Sequence, residues 1–242
     1  MCDVRKLAVR LALSGLVICL LVGALPPAKA QMNQTKKRRQ ENHARHETNA
    51  TRLARIRRTI QDTYSHRYEV IGGGGYLRFR SGDYTRKNNE ISWATALNYY
   101  LNSKLAIVGD ARGSFGDAHA LTDNIYGIYK PQINEYTFMG GASYRFYAQE
   151  KFAFSVQGLA GTGWGIFSGG SKGIPATDLG LWSSGFRPAF SVGLSADYNI
   201  YPNLALRLTP TWVGTNFIGV NGSTIQNNIG FNVGVVYRFG HR

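Results

Sequence analysis

Residues 228–239 alternate with a period of two. Ile229, Phe231, Val233, Val235, Tyr237 and Phe239 share one parity, while Asn228, Gly230, Asn232, Gly234, Val236 and Arg238 share the other. Successive side chains of a β-strand point to opposite faces, so the run predicts a strand with one apolar and one polar face. Six further segments carry the same alternation: 91–99, 105–112, 135–146, 152–164, 190–200 and 204–212. An eighth segment, 68–80, holds four consecutive glycines, Gly72 to Gly75, which leave its facing ambiguous.

The charges decide which face meets what. In the seven clear segments they are Asp110, Arg112, Glu135, Arg145, Asp197, Arg207 and Arg238, all on the polar parity. That parity is otherwise rich in Gly, Ala and Ser, and the opposite one carries the large aromatics. Such a division suits a narrow polar lumen inside an apolar belt, whereas a soluble lipocalin-like barrel would reverse the polarity. A mean hydropathy of −0.23 argues against a multi-helix membrane protein but not against a barrel, whose strands alternate. A strand of about ten residues, tilted by about 40°, spans about 25 Å, the height of the lipid-facing band of such barrels. No unpaired backbone can face lipid, so the sheet must close, and eight strands leave a lumen that side chains fill. The expected fold is all-β: an eight-stranded antiparallel up-and-down transmembrane β-barrel with a basic N-terminal extension.

Loop lengths orient it. Short connections fall near 102–104, 149–151 and 201–203, and long ones cover about 81–90, 116–132, 167–186 and 215–226. Short turns mark the periplasmic side and long loops the exterior. Trp93, Trp164 and Trp212 then sit at the outer strand ends, and Tyr99, Tyr144, Tyr198 and Tyr237 at the inner ends, as two interfacial girdles.

The first quarter of the chain is of another kind. Arg5, Lys6 and Arg10 precede an apolar run over 11–25, then Pro26-Pro27 and Ala28-Lys29-Ala30. Small residues at 28 and 30 are what a signal peptidase reads, so residues 1–30 are expected to be a signal cleaved after Ala30. The run is short for an uncleaved anchor, which needs roughly 20 residues. Both cysteines, Cys2 and Cys19, lie within it, so a mature chain offers no disulfide, thiolate metal site or Cys nucleophile. Residues 31–66 carry nine Lys or Arg against three acids, including Lys36-Lys37-Arg38-Arg39. Leu53, Ile56 and Ile60 recur at helical spacing, which predicts one short amphipathic helix near 51–64. A basic run invites nucleic acid, but an exported chain is routed away from it. A solvated periplasmic extension and contact with anionic lipid headgroups or the cell wall are the two readings left.

At this point residues 67–242 resemble the small outer-membrane β-barrel proteins of the OmpA/OmpX type. The final strand carries the resemblance. Asn232, Gly234, Tyr237 and Phe239 look like that family's C-terminal insertion signal, although Gly240-His241-Arg242 follow where the family usually ends on the aromatic. The resemblance implies an outer-membrane location and recognition by the barrel-assembly machinery.

Inside the lumen, a hairpin centred on Tyr201-Pro202-Asn203 sets Asp197 opposite Arg207, and Asp110 lies two residues from Arg112. If Glu69 faces inward, it meets Arg238 across the closing seam. These charges form either an internal salt-bridge network or a polar pathway, and the narrow bore favours the network. Of the histidines, only His119 falls in an outer loop, and the catalytic groups of a lipid hydrolase do not converge around it. The expectation is therefore a monomeric, non-catalytic barrel with no cofactor or metal, embedded in outer-membrane lipid. Its role is structural or one of surface interaction, and a narrow pore for small solutes is the alternative. Ile174, Leu179, Leu181 and Trp182 of the third loop either contact a ligand or another surface, or fold onto the rim.

Overall fold

The computed structural model describes residues 48–83, 85–120, 125–223 and 225–241. The expected signal, with Ala28 and Ala30, and the basic run up to residue 47 lie outside the described residues. A helix, α1 (Asn49–Tyr64), leads into β1 (His66–Arg80), β2 (Lys87–Tyr100), β3 (Leu105–Asp117), β4 (Gln132–Ala148), β5 (Phe152–Gly169), β6 (Gly185–Tyr201) and β7 (Leu204–Thr215). A small hairpin, β8 (Ile218–Gly219) with β9 (Gly222–Ser223), interrupts the last long loop before β10 (Gln226–His241). Eight of these strands close into a barrel in the order β1-β10-β7-β6-β5-β4-β3-β2, antiparallel throughout. Each barrel strand pairs with its neighbours in the chain, and β1 pairs with β10 to abolish the edges that lipid could not satisfy.

The facing of β1 is settled by burial. Glu69, Leu77 and Phe79 are buried in the lumen, whereas Val70 is exposed on the outer face. The glycine run follows from that parity. A Cβ on inward-facing Gly73 would meet the Val233 carbonyl and Gly234 Cα, and one on Gly75 would meet the Phe231 carbonyl. The β10 backbone approaches β1 too closely there for any side chain. A Cβ on outward-facing Gly72 would meet nothing within 4 Å.

The eight barrel strands run 12 to 18 residues, well beyond the roughly ten that cross a membrane. The outer loops are correspondingly shorter than the sequence suggests, and Phe167 belongs to β5 rather than to a loop. Large apolar side chains such as Ile91, Leu97, Phe138, Leu194 and Phe231 are exposed on the outer face, so the buried core lies inside the barrel.

Candidate functional site in the barrel lumen

The inner half of the lumen is built around Glu69. Three arginines from three strands donate to its carboxylate: Arg145 Nη2 at 2.6 Å, Arg207 Nη2 at 2.9 Å and Arg238 Nε at 2.9 Å. The Tyr100 hydroxyl adds a fourth hydrogen bond at 3.1 Å. Asp197 holds the other side of two of these cations. It accepts from Arg207 Nε at 2.5 Å and Nη2 at 2.7 Å, and from Arg238 Nη2 at 3.0 Å. Asn199 Oδ1 takes Arg238 Nη1 at 2.8 Å.

Three guanidiniums therefore face two carboxylates, and the excess cation is Arg145. It stacks over the rings of Tyr100 and Tyr64, at 4.3 and 4.6 Å from their centroids. It also donates to the Tyr100 hydroxyl and to the Ser103 carbonyl, the latter at 3.2 Å. Aromatic faces and neutral acceptors thus stand in for the missing anion.

Tyr64, the last residue of α1, is the inner seal. Its hydroxyl donates to the Gln149 carbonyl at 2.8 Å and accepts from Asn199 Nδ2 at 2.9 Å, tying the end of α1 to the β4–β5 turn and to β6. Burial pushes the Tyr64 hydroxyl pKa up, against the opposing pull of the Asn199 hydrogen bond and of the Arg145 and Arg238 charges.

Further out, Asp110 and Arg112 of β3 pair with each other, Nε to Oδ1 at 2.7 Å and Nη2 to Oδ2 at 3.2 Å. Period two puts both on one face, which is why so local a pair forms. Beyond them, Glu135 of β4 and Glu90 of β2 are buried. The outer mouth is closed by an apolar cluster of Leu77, Phe79, Ile133, Phe167 and Phe217 with Leu179, Leu181 and Trp182. The Phe167 and Phe217 rings meet edge-on at 5.1 Å, and Trp182 Nε1 donates to the Arg80 carbonyl at 2.6 Å. The third outer loop thus supplies the lid of its own barrel. Its Leu179, Leu181 and Trp182 are buried and unavailable to a ligand or another surface.

Of the charges read from the sequence, Arg145, Asp197, Arg207 and Arg238 come together around Glu69, while Asp110 and Arg112 form a separate pair. Glu135 joins neither group. Sequence reasoning missed Glu90, Tyr64, Tyr100 and Asn199. Continuing the parity of β2 one residue outward finds Glu90, whereas the cross-lumen partners of Glu69 leave no local pattern. Trp93 and Trp164 are exposed on the outer face, Trp212 is partly covered, and Tyr144, Tyr198 and Tyr237 are exposed at the inner strand ends, where Tyr99 is partly covered. Tyr237 and Phe239 face outward on β10, with Asn232 and Gly234 on the luminal parity. His119 is an exposed loop residue.

No protein-family model and no curated protein sequence matches the chain. Solved structures do match it. The chain is similar to Neisserial surface protein A, with 13% identity and a TM-score of 0.51 over 71% of this chain and 97% of that one. It is similar to the outer membrane protein OprG from Pseudomonas aeruginosa, with 13% identity and a TM-score of 0.51 over 74% and 99% of the two chains. Ail, the attachment invasion locus protein of Yersinia pestis, superposes more loosely, with 14% identity and a TM-score of 0.47 over 72% and 99%. The first two establish the likeness, and at such identities it is one of fold. The chain has the closed eight-stranded antiparallel barrel of small outer-membrane proteins.

Proposed function

We propose that this protein is a non-catalytic, non-conducting barrel of the bacterial outer membrane, monomeric and without a cofactor, which stabilises the envelope and presents its loops outward. In this reading residues 1–30 are removed on export, and the assembly machinery recognises the last strand through Asn232, Gly234, Tyr237 and Phe239. One observation carries the reading: both ends of the lumen are filled by side chains packed and bonded to one another. The Glu69 cluster and Tyr64 fill the inner half, and the Phe79–Phe167–Phe217 cluster fills the outer mouth. A pore would need both layers to part. Groups held this way are also unavailable as acids, bases or nucleophiles.

The surface role falls to other loops than the third. Ile125, Tyr126 and Tyr129 of the β3–β4 loop, and Val220 and Ile225 of the β7–β10 loop, are the exposed apolar residues beyond the outer strand ends among the described residues. These side chains are what the loops offer to a partner, and the buried side chains of the third loop are not. On the inner side, α1 displays Arg52, Arg55, Arg57 and Arg58 beside a half-exposed Leu53. This composition favours anionic phospholipid headgroups over nucleic acid.

The test is a planar-bilayer recording on the refolded mature protein, with heat-modifiable gel mobility proving that the barrel has closed. A closed and silent barrel is expected. Discrete conductance steps from a closed barrel would overturn the reading in favour of a narrow pore for small solutes.

A further inference from the structure

Each luminal carboxylate of the inner half is paired with arginine, and two carboxylates of the outer half are not. Glu90 of β2 and Glu135 of β4 face the lumen from either side of β3. The register sets Ser114 of β3 opposite both Ser92 and Glu135, so the two glutamates flank the same stretch of β3. They are 1% and 3% exposed. Glu135 has no hydrogen-bond partner on either oxygen among the described residues, and Glu90 has none on Oε2. Neither takes part in an ion pair among those residues.

A third side chain points to what belongs there. Asn88 is 2% exposed and turns its amide nitrogen onto Glu90 Oε1 at 3.0 Å, which leaves its own Oδ1 without a donor. The arginine of the intervening strand is engaged elsewhere. Arg112 lines the same small cavity of about 20 Å³ as Glu135, yet its Nε and Nη2 are held by Asp110.

Two adjacent carboxylates taken out of water without a counter-charge are strongly unfavourable. Elsewhere in this lumen guanidiniums supply that charge. The unpartnered Nε of Arg187 belongs to β6, which β5 separates from β4; beside β3 in the outer half the groups left over are four acceptor oxygens, Asn88 Oδ1, Glu90 Oε2 and both of Glu135, carrying two negative charges. That is the ligand chemistry of a hard divalent cation. Calcium tolerates irregular oxygen geometry, whereas magnesium demands a near-ideal octahedron, so side chains set by two different strands suit calcium better.

We propose that Asn88, Glu90 and Glu135 form a calcium site in the outer half of the lumen, beneath the Phe79–Phe167–Phe217 cluster and filled as the barrel closes. The ion would tie β2 to β4 across β3 and hold the outer mouth together. The proposal is independent of whether the barrel conducts.

The full mature chain would be refolded into vesicles with either calcium or EDTA, and the temperature at which the compact gel band is lost would be measured. Binding at 100 times Kd corresponds to a rise of about 5–10 °C for a chain of this size. Equilibrium dialysis with radioactive calcium should find one ion per chain. Glu90→Gln/Glu135→Gln should fold, should lose both the bound ion and the temperature rise, and should match or exceed the wild type in EDTA, since its two like charges are gone. No rise with calcium in the wild type would overturn the site, as would an equal rise in the double variant. A temperature that falls with increasing pH and ignores calcium would also overturn it, by showing that the two glutamates share a proton instead.

Discussion

Replacing Glu69 by Gln tests the organisation of the lumen most directly. The change keeps the shape and one acceptor oxygen, and it removes the one group that Arg145, Arg207 and Arg238 share, at 2.6, 2.9 and 2.9 Å. The cluster then holds three guanidiniums against Asp197 alone, so its excess of positive charge rises from one to two. Removing one partner of a buried ion pair costs about 3–5 kcal/mol, because the other charge is left uncompensated. With three cations affected and the Glu69 side chain only 1% exposed, the loss should lie toward the upper end of that range. Urea titration of the barrel in lipid vesicles, followed by tryptophan fluorescence, measures it. Adding Arg238→Met to Glu69→Gln restores the original excess and should recover at least half of the loss. A cost for Glu69→Gln below about 1 kcal/mol, the scale of a solvated ion pair, would mean that Glu69 is not the shared anion of the cluster. So would a double variant as unstable as the two single losses combined.

Other perturbations separate the layers of the structure. Gly73→Ala and Gly75→Ala should each cost about 1–3 kcal/mol by overpacking against the β10 backbone, while Gly72→Ala, with nothing within 4 Å, should leave the urea midpoint nearly unchanged. Phe217→Ala removes a fully buried ring from between Phe79 and Phe167 and should cost about 3–5 kcal/mol in the same titration. It should not open a pore in bilayer recordings, since the Glu69 cluster still blocks the inner half. Tyr64→Phe removes the hydrogen bonds to Gln149 and Asn199 and should loosen α1, read as faster tryptic cleavage at Arg52–Arg58. The raised Tyr64 pKa means that the folded state holds the phenolic proton more tightly than the unfolded chain does. Its contribution is therefore complete below about pH 10 and is lost as pH rises from there through the folded value. The stability difference between wild type and Tyr64→Phe should accordingly shrink above about pH 10.

The fold was legible because its signal is local and repeated. Period two reads directly as a two-faced strand, and the sorting of Asp110, Arg112, Glu135, Arg145, Asp197, Arg207 and Arg238 away from the aromatics says which face is the lumen. The opposition of Asp197 and Arg207 needs only a hairpin of known centre, and the ladder places them together despite an irregularity between Asn199 and Tyr201. Where alternation was masked, as in Gly72 to Gly75, the facing of β1 had to wait for the register of β10.

Alternation along the chain is enough for the eight barrel strands, for the facing of seven of them and for the parity that turns their charges inward. These depend on neighbours two residues apart or across one turn. The tertiary structure alone decided that Glu69 meets Arg145 and Arg207, 76 and 138 residues away. It also decided that Tyr64 closes one mouth and that Leu179, Leu181 and Trp182 close the other. Contacts across a lumen depend on the tilt and stagger accumulated over eight closed strands, and a loop folds inward only when the closed mouth offers apolar surface to bury it. No pair of positions in the chain encodes either condition.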